Sequence, residues 1–471
     1  MSEEAGKYPE KGERDGSNTS SISRSEQIAK AAEMLGVEKG ETISADDELL
    51  ASLGYRAELK REFSYTTVFG QSFGSMGIAP AIAESMVFSL GSAGSVGMWV
   101  ARLTPPRQRA FMCWLAGYMN VLGYISIYAS TIYAATLILG AICSINTDSV
   151  FVATKYQNYG IFVFADFQNT GFWTNNGWAF MLSFLTPVWV VSGFESAATI
   201  AEEASNAAKA VPFAMVSSLV TATVTGWAVI ITIAFCMGTD VIGIVTSPLG
   251  QPLAQIAFNS LGKCGSVALL VFLWISSVAN CSILMVAASR ETFAFARDHG
   301  LPFSSYLRVL SSNKTPIRAI SFVALCTLTE GLLMLINTIA INSIFNLAIM
   351  GLYFAYCMPL VSRLLFRNFT PGVWYMGDKI SYISAVYSVV WMTFIFVLLL
   401  FPSYEDPNAD EMNYAVVVLG FVLVFCTAYY WCPKYGGKTF FKGPVRTIDE
   451  ILEERGDVRE RVAAEIGGHE A

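Results

Sequence analysis

Charged residues are scarce in this sequence: Asp, Glu, Lys and Arg together account for 14% of its 471 residues. Soluble globular proteins carry about 25% charged residues. Hydrophobic residues make up 54% of the chain, and its mean hydropathy is +0.49. This composition excludes an ordinary soluble globular protein. It predicts an all-α, polytopic membrane protein embedded in the lipid bilayer.

Metal-binding and catalytic motifs are also lacking. The sequence contains two histidines, His299 and His469, and its nine cysteines include no CxxC pair. A phosphate-binding loop and a nucleophile elbow are absent too. We therefore expect no metal, no cofactor, no nucleic-acid partner and no enzymatic activity. Cysteines inside apolar segments are expected to act as small packing residues.

Long apolar runs, by contrast, are plentiful. A helix needs about 20 mostly apolar residues to span the hydrocarbon core of a bilayer. The piece GIFVF, 160–164, is too short to span. Nine longer segments are predicted to span: 64–98, 110–142, 177–201, 213–238, 264–289, 317–336, 341–366, 380–402 and 413–433.

The distribution of Lys and Arg predicts the orientation of these spans. Basic residues precede the first span and follow the last one, whereas the loop 402–412 holds four acidic residues and no Lys or Arg. We therefore predict a cytoplasmic N-terminal tail over 1–62, a membrane domain over 63–433 and a cytoplasmic C-terminal tail over 434–471.

One basic loop conflicts with this topology. Arg102, Arg107 and Arg109 follow the first predicted span, so a cytoplasmic N-terminus would place them outside. Nine spans also cannot leave both termini in the cytoplasm, because that arrangement needs an even number. Both conflicts disappear if a spanning helix is missing between the first span and Arg102. The charges therefore predict an internal gap.

Two predicted spans contain helix breakers: Gly70, Gly74, Gly77 and Pro80 in the first, and SGFES, 192–196, in another. Such pairs are typical of transporters in which unwound backbone lines a cavity. Freed N–H groups and the positive end of a half-helix can bind a carboxylate there. Close helix packing at small residues is the alternative. The predicted binding residues are Ser75, Met76, Gly77, Ser192, Gly193 and Phe194.

Glu195 follows the second break within an apolar run. A carboxylate at mid-membrane costs at least about 2.5 kcal/mol and usually faces a cavity, a partner or a proton. We expect Glu195 to meet a substrate ammonium or to titrate during coupling; a hydrated position near the interface is the alternative. Glu84 and Glu330 are further intramembrane candidates, with Glu84 a candidate for coupling; a position within a turn or two of an interface is the alternative for both. Asn280 and Asn346 are both expected to hydrogen-bond between helices.

Glu202 and Glu203 follow at the predicted cytoplasmic end of the same span. A basic loop containing Arg290 and Arg297 is predicted on the same side of the membrane. Contact between these acids and arginines would form part of an inner gate. A plain hydrated loop is the alternative.

Several segments together resemble fungal amino acid permeases of the amino acid–polyamine–organocation superfamily, and most closely the GABA-permease and choline-transporter group. The resemblance covers roughly residues 53–445. The segments are LGYRAELKREFSYTTVFGQSFGSMGIAPAIAES, SGFESAATIAEEASNAAKAVP, ASRETFAFARDHGLPFS, YMGDKISYISA, FPS and MNYAVVVLG.

The resemblance implies twelve helices with a five-helix inverted repeat, substrate at the midplane and proton-coupled uptake. Its broken first and sixth helices would fall on 75–77 and 192–195. The family's loop after the eighth helix would fall on 290, 293–297 and 300–302.

The sequence departs from the family pattern near residues 99 and 161. Members of the family have their second helix at the first of these places and their fourth and fifth helices at the other, whereas this sequence has no matching segments there. About nine of the twelve helices would then be present. The chain is expected to be a proton-coupled secondary transporter of an amino acid or amine such as GABA or choline. The alternative is an internally truncated, non-transporting isoform or membrane sensor. The plasma membrane is the expected location, with the vacuolar membrane as the alternative.

Overall fold

A computed structural model describes residues 63–76, 104–146, 158–165, 173–190, 192–336, 338–367, 369, 375–402, 405–408, 412–434, 436–441 and 443. Regular structure in these ranges is helical, apart from a bridge that joins Phe63 to Ala204 and a 3-10 turn at Ala201–Glu203. The α-helices are α1 (Tyr65–Met76), α2 (Pro106–Asn146), α3 (Gly160–Ala165), α4 (Asn176–Ser183), α5 (Leu185–Val190), α6 (Ser196–Thr199), α7 (Ala207–Cys236), α8 (Val241–Val245), α9 (Pro252–Arg297), α10 (Ser304–Leu307), α11 (Ile317–Ile336), α12 (Thr338–Phe366), α13 (Asp378–Leu398), α14 (Ala415–Trp431) and α15 (Gly437–Phe440).

Five of the described helices are long and apolar enough to cross a membrane: α2, α7, α9, α12 and α13. The apolar α14 has 17 residues, and α11 has 20. All seven coincide with predicted spans. The predicted spans 317–336 and 341–366 correspond to two separate helices, since α11 ends at Ile336 and α12 begins at Thr338.

Three of the predicted spans differ from single continuous helices. The predicted span 177–201 consists of α4, α5 and α6, with turns over 192–195. The predicted span 264–289 lies inside the longer α9, which is interrupted at Gly262, where φ is +72°. Of the predicted span 64–98, the described part is α1, which ends at Met76.

Helix α2 lies at the centre of the largest hydrophobic core and packs against both α9 and α12. Its contact with α12 is close, because a Cβ atom on Gly351 would lie 2.9 Å from the Met119 carbonyl oxygen. Small residues permit such close approach of backbones in membrane proteins. The large side chains buried in this core include Trp114, Met119, Tyr124, Phe345, Ile349 and Met350.

Helix α7 has one small-residue face and one bulky face. The small residues recur at every fourth position, which places them along one side of the helix, and they are buried. They are Ala210, Ala214, Ser218, Ala222 and Gly226. This side packs against α1. The exposed side carries Val216, Val220, Val224 and Trp227, as expected for a surface in contact with lipid.

The two predicted internal gaps fall in different parts of the structure. Trp99, at the first, lies outside the described residues. Ile161, at the second, lies in the six-residue helix α3, which is too short to span a bilayer. The α3 segment is held against α7, because the Asn158 side chain donates a hydrogen bond to the Ala234 carbonyl oxygen at 2.8 Å.

Candidate functional site

The interruption at 192–195 lies directly against the end of α1. Gly193 has φ +90°, a conformation that residues with a Cβ rarely adopt. A Cβ atom at Gly193 would also lie 2.9 Å from the Ser75 carbonyl oxygen. The sequence therefore places glycine where the backbone must both turn and approach a second backbone, and the predicted break at this position is present.

Serine hydroxyls join the two segments. Ser75 Oγ donates to the Gly193 carbonyl oxygen at 2.5 Å and lies 2.6 Å from Ser196 Oγ. Ser72 Oγ donates to the Phe194 carbonyl oxygen and lies 2.6 Å from Ser218 Oγ of α7. A broken helix leaves backbone carbonyls without their usual partners, and lipid cannot supply replacements. These hydroxyls satisfy the freed carbonyls from within the protein.

Asn280 of α9 satisfies the end of α1. Its Nδ2 atom donates to the carbonyl oxygens of Gly74 and Ser75, at 3.0 and 3.2 Å. The prediction of a hydrogen bond between helices is confirmed at Asn280, whereas at Asn346 of α12 no such bond is found among the described residues. Its Oδ1 atom is buried and has no hydrogen-bond partner, so one acceptor remains beside the break.

Glu195 is buried, with 3% of its surface exposed. Tyr124 Oη of α2 donates a hydrogen bond to Glu195 Oε1 at 3.2 Å. The other carboxylate oxygen, Oε2, is buried without a hydrogen-bond partner. Among the described residues, no basic side chain forms an ion pair with Glu195. This burial does not fit a hydrated position at the interface, and the open acceptor atom suits a proton or an ammonium group.

The remaining predicted binding residues differ in their surroundings. Ser192 is buried and its hydroxyl donates to the Trp189 carbonyl oxygen at 2.6 Å. Met76 and Phe194 belong to one apolar cluster with Val190, which favours packing as their main role. Gly77 and Glu84 lie outside the described residues.

A second group of charged residues lies near the C-terminal end of α9. Arg290 Nε donates to Glu203 Oε1 at 2.8 Å, and Arg290 Nη2 donates to Glu203 Oε2 at 3.3 Å. The two side chains are 13% and 9% exposed, so this two-pronged ion pair is largely shielded from water. The predicted contact of this acid pair with Arg290 is therefore present at Glu203, but Arg290 and Arg297 belong to α9 and not to the predicted loop.

The segment before α1 is hydrogen-bonded to the backbone at Glu203. The Phe63 backbone N–H donates to the Glu203 carbonyl oxygen at 3.1 Å, and the Ser205 N–H donates to the Phe63 carbonyl oxygen at 2.9 Å. Glu202 lies in the same 3-10 turn. Arg297 is buried, and its guanidinium lies 5.9 Å from the centre of the Phe293 ring.

Sequence reasoning missed Tyr124, Ser72 and Gln71 as parts of the site. Gln71 Nε2 donates to the Ile283 carbonyl oxygen at 3.2 Å, which adds a second link between α1 and α9. A polar residue in an apolar span is only weak evidence for a binding-site residue. Tyr124 could not be singled out on that basis, because α2 contains several other tyrosines. The contact with Glu195 depends on how the two segments pack.

Comparison with known proteins finds amino acid permeases throughout. The family model for amino acid permeases matches residues 150–423, more than half of the chain. An amino-acid permease of Schizosaccharomyces pombe is 45% identical, over 88% of this chain and 91% of the relative. The GABA-specific permease of Saccharomyces cerevisiae is 30% identical, over 89% of this chain and 88% of the relative. Amino-acid permease 2 of Neurospora crassa is 28% identical, over 85% and 89%.

These alignments are longer than the chain itself. The alignment with the S. pombe permease extends over 502 positions, although it includes 88% of the 471 residues, or about 414. About 88 aligned positions of that relative therefore have no counterpart here, from 502 less 414. The identity over most of both chains shows the kinship: the chain belongs to the amino acid permease family of the amino acid–polyamine–organocation superfamily, whose members are multi-pass membrane transporters of amino acids and not enzymes.

Proposed function

We propose that the chain carries a small amino acid or related amine across the membrane, with its substrate bound at the interruption between α1 and 192–195. The observation that supports this most is the approach of Gly193 to Ser75 beside the buried carboxylate of Glu195. A substrate ammonium would lie at Glu195 Oε2, since that oxygen has no partner. The substrate carboxylate would face backbone N–H groups at the break.

GABA is the first substrate to test, and choline the second. A GABA-specific permease is among the relatives at 30% identity, and both compounds carry a cationic nitrogen that suits Glu195. The test is uptake of radiolabelled GABA and choline by yeast cells that lack their own permeases, with and without a protonophore. Saturable uptake that collapses with the proton gradient is the expected result.

The Glu195→Gln variant tests the proposed site. Glutamine keeps the shape of the side chain but removes its charge and proton, so uptake should fall to background while surface abundance is unchanged. Glu405→Gln is the matched control, because Glu405 is exposed and distant in sequence from both interruptions. Normal uptake by Glu195→Gln would remove Glu195 from the mechanism.

The inner gate is proposed at Glu203 and Arg290, with Glu202 and Arg297 as neighbouring members. A shielded, two-pronged ion pair can hold the segment after α6 against α9 until substrate arrives.

The plasma membrane is the proposed location, with the vacuolar membrane as the alternative. A fluorescent fusion expressed at native level would distinguish the two.

A non-transporting isoform is a second candidate. The positions of the relative that have no counterpart in this chain support it. About 88 unmatched positions correspond to roughly three spans with their loops, at about 20 residues a span. We propose that the family's helices two, four and five are absent, at junctions near 99 and 161. Sequencing cDNA across the codons for Trp99 and Ile161 tests this. If the messenger RNAs encode three more helices at these junctions, the full protein has all twelve helices and the proposed site belongs to an ordinary transporter.

A further inference from the structure

A second acid, half-buried but with a buried carboxylate oxygen, lies on α11, away from the interrupted segments. Glu330 Oε1 accepts a hydrogen bond from Ser126 Oγ of α2 at 3.1 Å. Glu330 Oε2 is buried and has no hydrogen-bond partner. No basic side chain of the described residues forms an ion pair with it. The mechanism proposed above gives this carboxyl group no role.

Glu330 lies inside the apolar helix α11 and not at either end. It is thirteen residues after Ile317 and six before Ile336, or about 20 Å and 9 Å from the two ends, at 1.5 Å per residue. An ionised carboxylate in the hydrocarbon core costs about 2.5–3.5 kcal/mol on insertion scales when it has no counter-charge. A proton or a bound cation removes this cost, because either one neutralises the carboxylate.

A second unsatisfied group shares the same face. Thr327 lies three residues before Glu330, which brings the two side chains together on one side of α11. Thr327 is 6% exposed, and its Oγ1 atom is buried without a hydrogen-bond partner. An acid with one open oxygen beside an unpartnered hydroxyl has room for one more hydrogen bond. A proton on Glu330 supplies it.

The electrostatic surroundings of Glu330 are simple. The Cys326 thiol, on the same helix, is one titratable group that interacts electrostatically with Glu330. Helices α2, α9, α10 and α12 pack against α11. Within the described part of these four helices, the side chain that interacts with the Glu330 carboxyl group is the uncharged Ser126, through its hydrogen bond.

Helix α2 connects this acid to the candidate substrate site. Tyr124 binds Glu195, and Ser126 binds Glu330. Residues two apart on an α-helix point about 200° from each other, so the two acids lie on opposite sides of one turn of α2. The next turn is weakened, because Ser130 and Thr131 hydroxyls bond to the backbone carbonyls of Ser126 and Ile127.

We propose that Glu330 is the proton-binding carboxyl group of the transport cycle, separate from the substrate site at Glu195 and linked to it by the 124–126 turn of α2. This inference rests on the proposed transport function. The proton comes from water on the outer side and forms an O–H bond on Glu330 Oε2. The same bond breaks when the proton leaves to cytoplasmic water, so charge and atoms balance. Ser126 is a positioning residue.

The first experiment separates coupling from substrate movement in proteoliposomes. Net accumulation of radiolabelled GABA under an imposed pH gradient needs proton binding, whereas exchange of GABA for GABA without a gradient does not. Glu330→Gln should retain exchange and lose accumulation, leaving equal concentrations on both sides. Glu195→Gln should lose both, and the control Glu405→Gln should retain both. Accumulation by Glu330→Gln, or loss of its exchange, would overturn the proposal, and so would a requirement for Na⁺.

A second experiment does not depend on transport. Infrared difference spectra of the purified protein between two pH values report protonated carboxyl groups. One component of the carboxyl band should disappear in Glu330→Gln and shift in Ser126→Ala, with the original position restored in Ser126→Thr. An unchanged band in Glu330→Gln would refute the proposal. If the unaltered chain moves no substrate, the proposed function fails, and the infrared result still decides whether Glu330 exchanges a proton.

Discussion

The Tyr124 hydroxyl donates a hydrogen bond at 3.2 Å to Glu195, which is 71 residues further along the chain. This contact joins α2, the central helix of the core, to the segment in which a span is interrupted. It also leaves the second carboxylate oxygen of Glu195 without a partner. A change on α2 can therefore reach the candidate site directly.

Tyr124→Phe removes this bond while keeping the ring in the core. We expect KM for substrate to rise several-fold, because Glu195 loses the partner that orients it. Leaving a buried acceptor unsatisfied costs about 1–3 kcal/mol, so thermal stability in detergent should also fall. Uptake kinetics and a melting curve measure the two effects.

Tyr133→Phe is the control on the same helix, because the structure gives the Tyr133 hydroxyl no described hydrogen bond. It should behave like the unaltered protein. Equal effects of the two substitutions would show that Tyr124 acts through packing alone.

Gly193→Ala tests the break itself. An added Cβ would approach the Ser75 backbone to 2.9 Å, at a φ of +90°. Strained backbone positions of this kind cost about 1–3 kcal/mol, and the overlap adds to that cost. We expect lower surface abundance and little uptake, measured by surface labelling and transport.

Gly420→Ala is the comparison, since an added Cβ there meets no atom within 4 Å. It lies within α14 and should be tolerated or slightly stabilising. Full uptake by Gly193→Ala would contradict the proposed closeness of the two segments.

Charge exchange tests the inner gate. Glu203→Arg should impair transport, because it places two cations together in a shielded position. Breaking a buried pair from one side costs about 3–5 kcal/mol. The double variant Glu203→Arg with Arg290→Glu should recover part of the uptake.

The ratio of efflux to uptake distinguishes a gate from a simple structural contact. A gate predicts that Glu203→Gln speeds efflux of preloaded substrate relative to uptake. Proportional loss of both rates, with no recovery in the double variant, would count against gating.

Asn280→Ala should destabilise the end of α1. The carbonyl oxygens of Gly74 and Ser75 lose a shared donor, and each unsatisfied buried group costs about 1–3 kcal/mol. We expect a lower melting temperature and reduced substrate affinity. Asn346→Ala is the control on α12, where no described hydrogen bond involves its side chain. Similar losses in both variants would deny Asn280 a special role.

The sequence by itself determined the class of this protein and the place of one interruption. Scarce charge and long apolar runs imply membrane spans, since bilayer thickness sets the required length. Gly193 could be identified locally, because the freedom to adopt a positive φ belongs to the residue type. The resemblance to amino acid permeases also depended on short segments, and the comparisons confirmed it.

Only the tertiary structure decided which polar groups meet. The spans are apolar on nearly all sides, so their sequence periodicity does not show which face turns inward. Tyr124 and Glu195, Asn280 and Gly74, and Ser126 and Glu330 are far apart in sequence. Each contact depends on the rotation and tilt of packed helices, because an unpaired polar group in an apolar interior must find its partner within the protein.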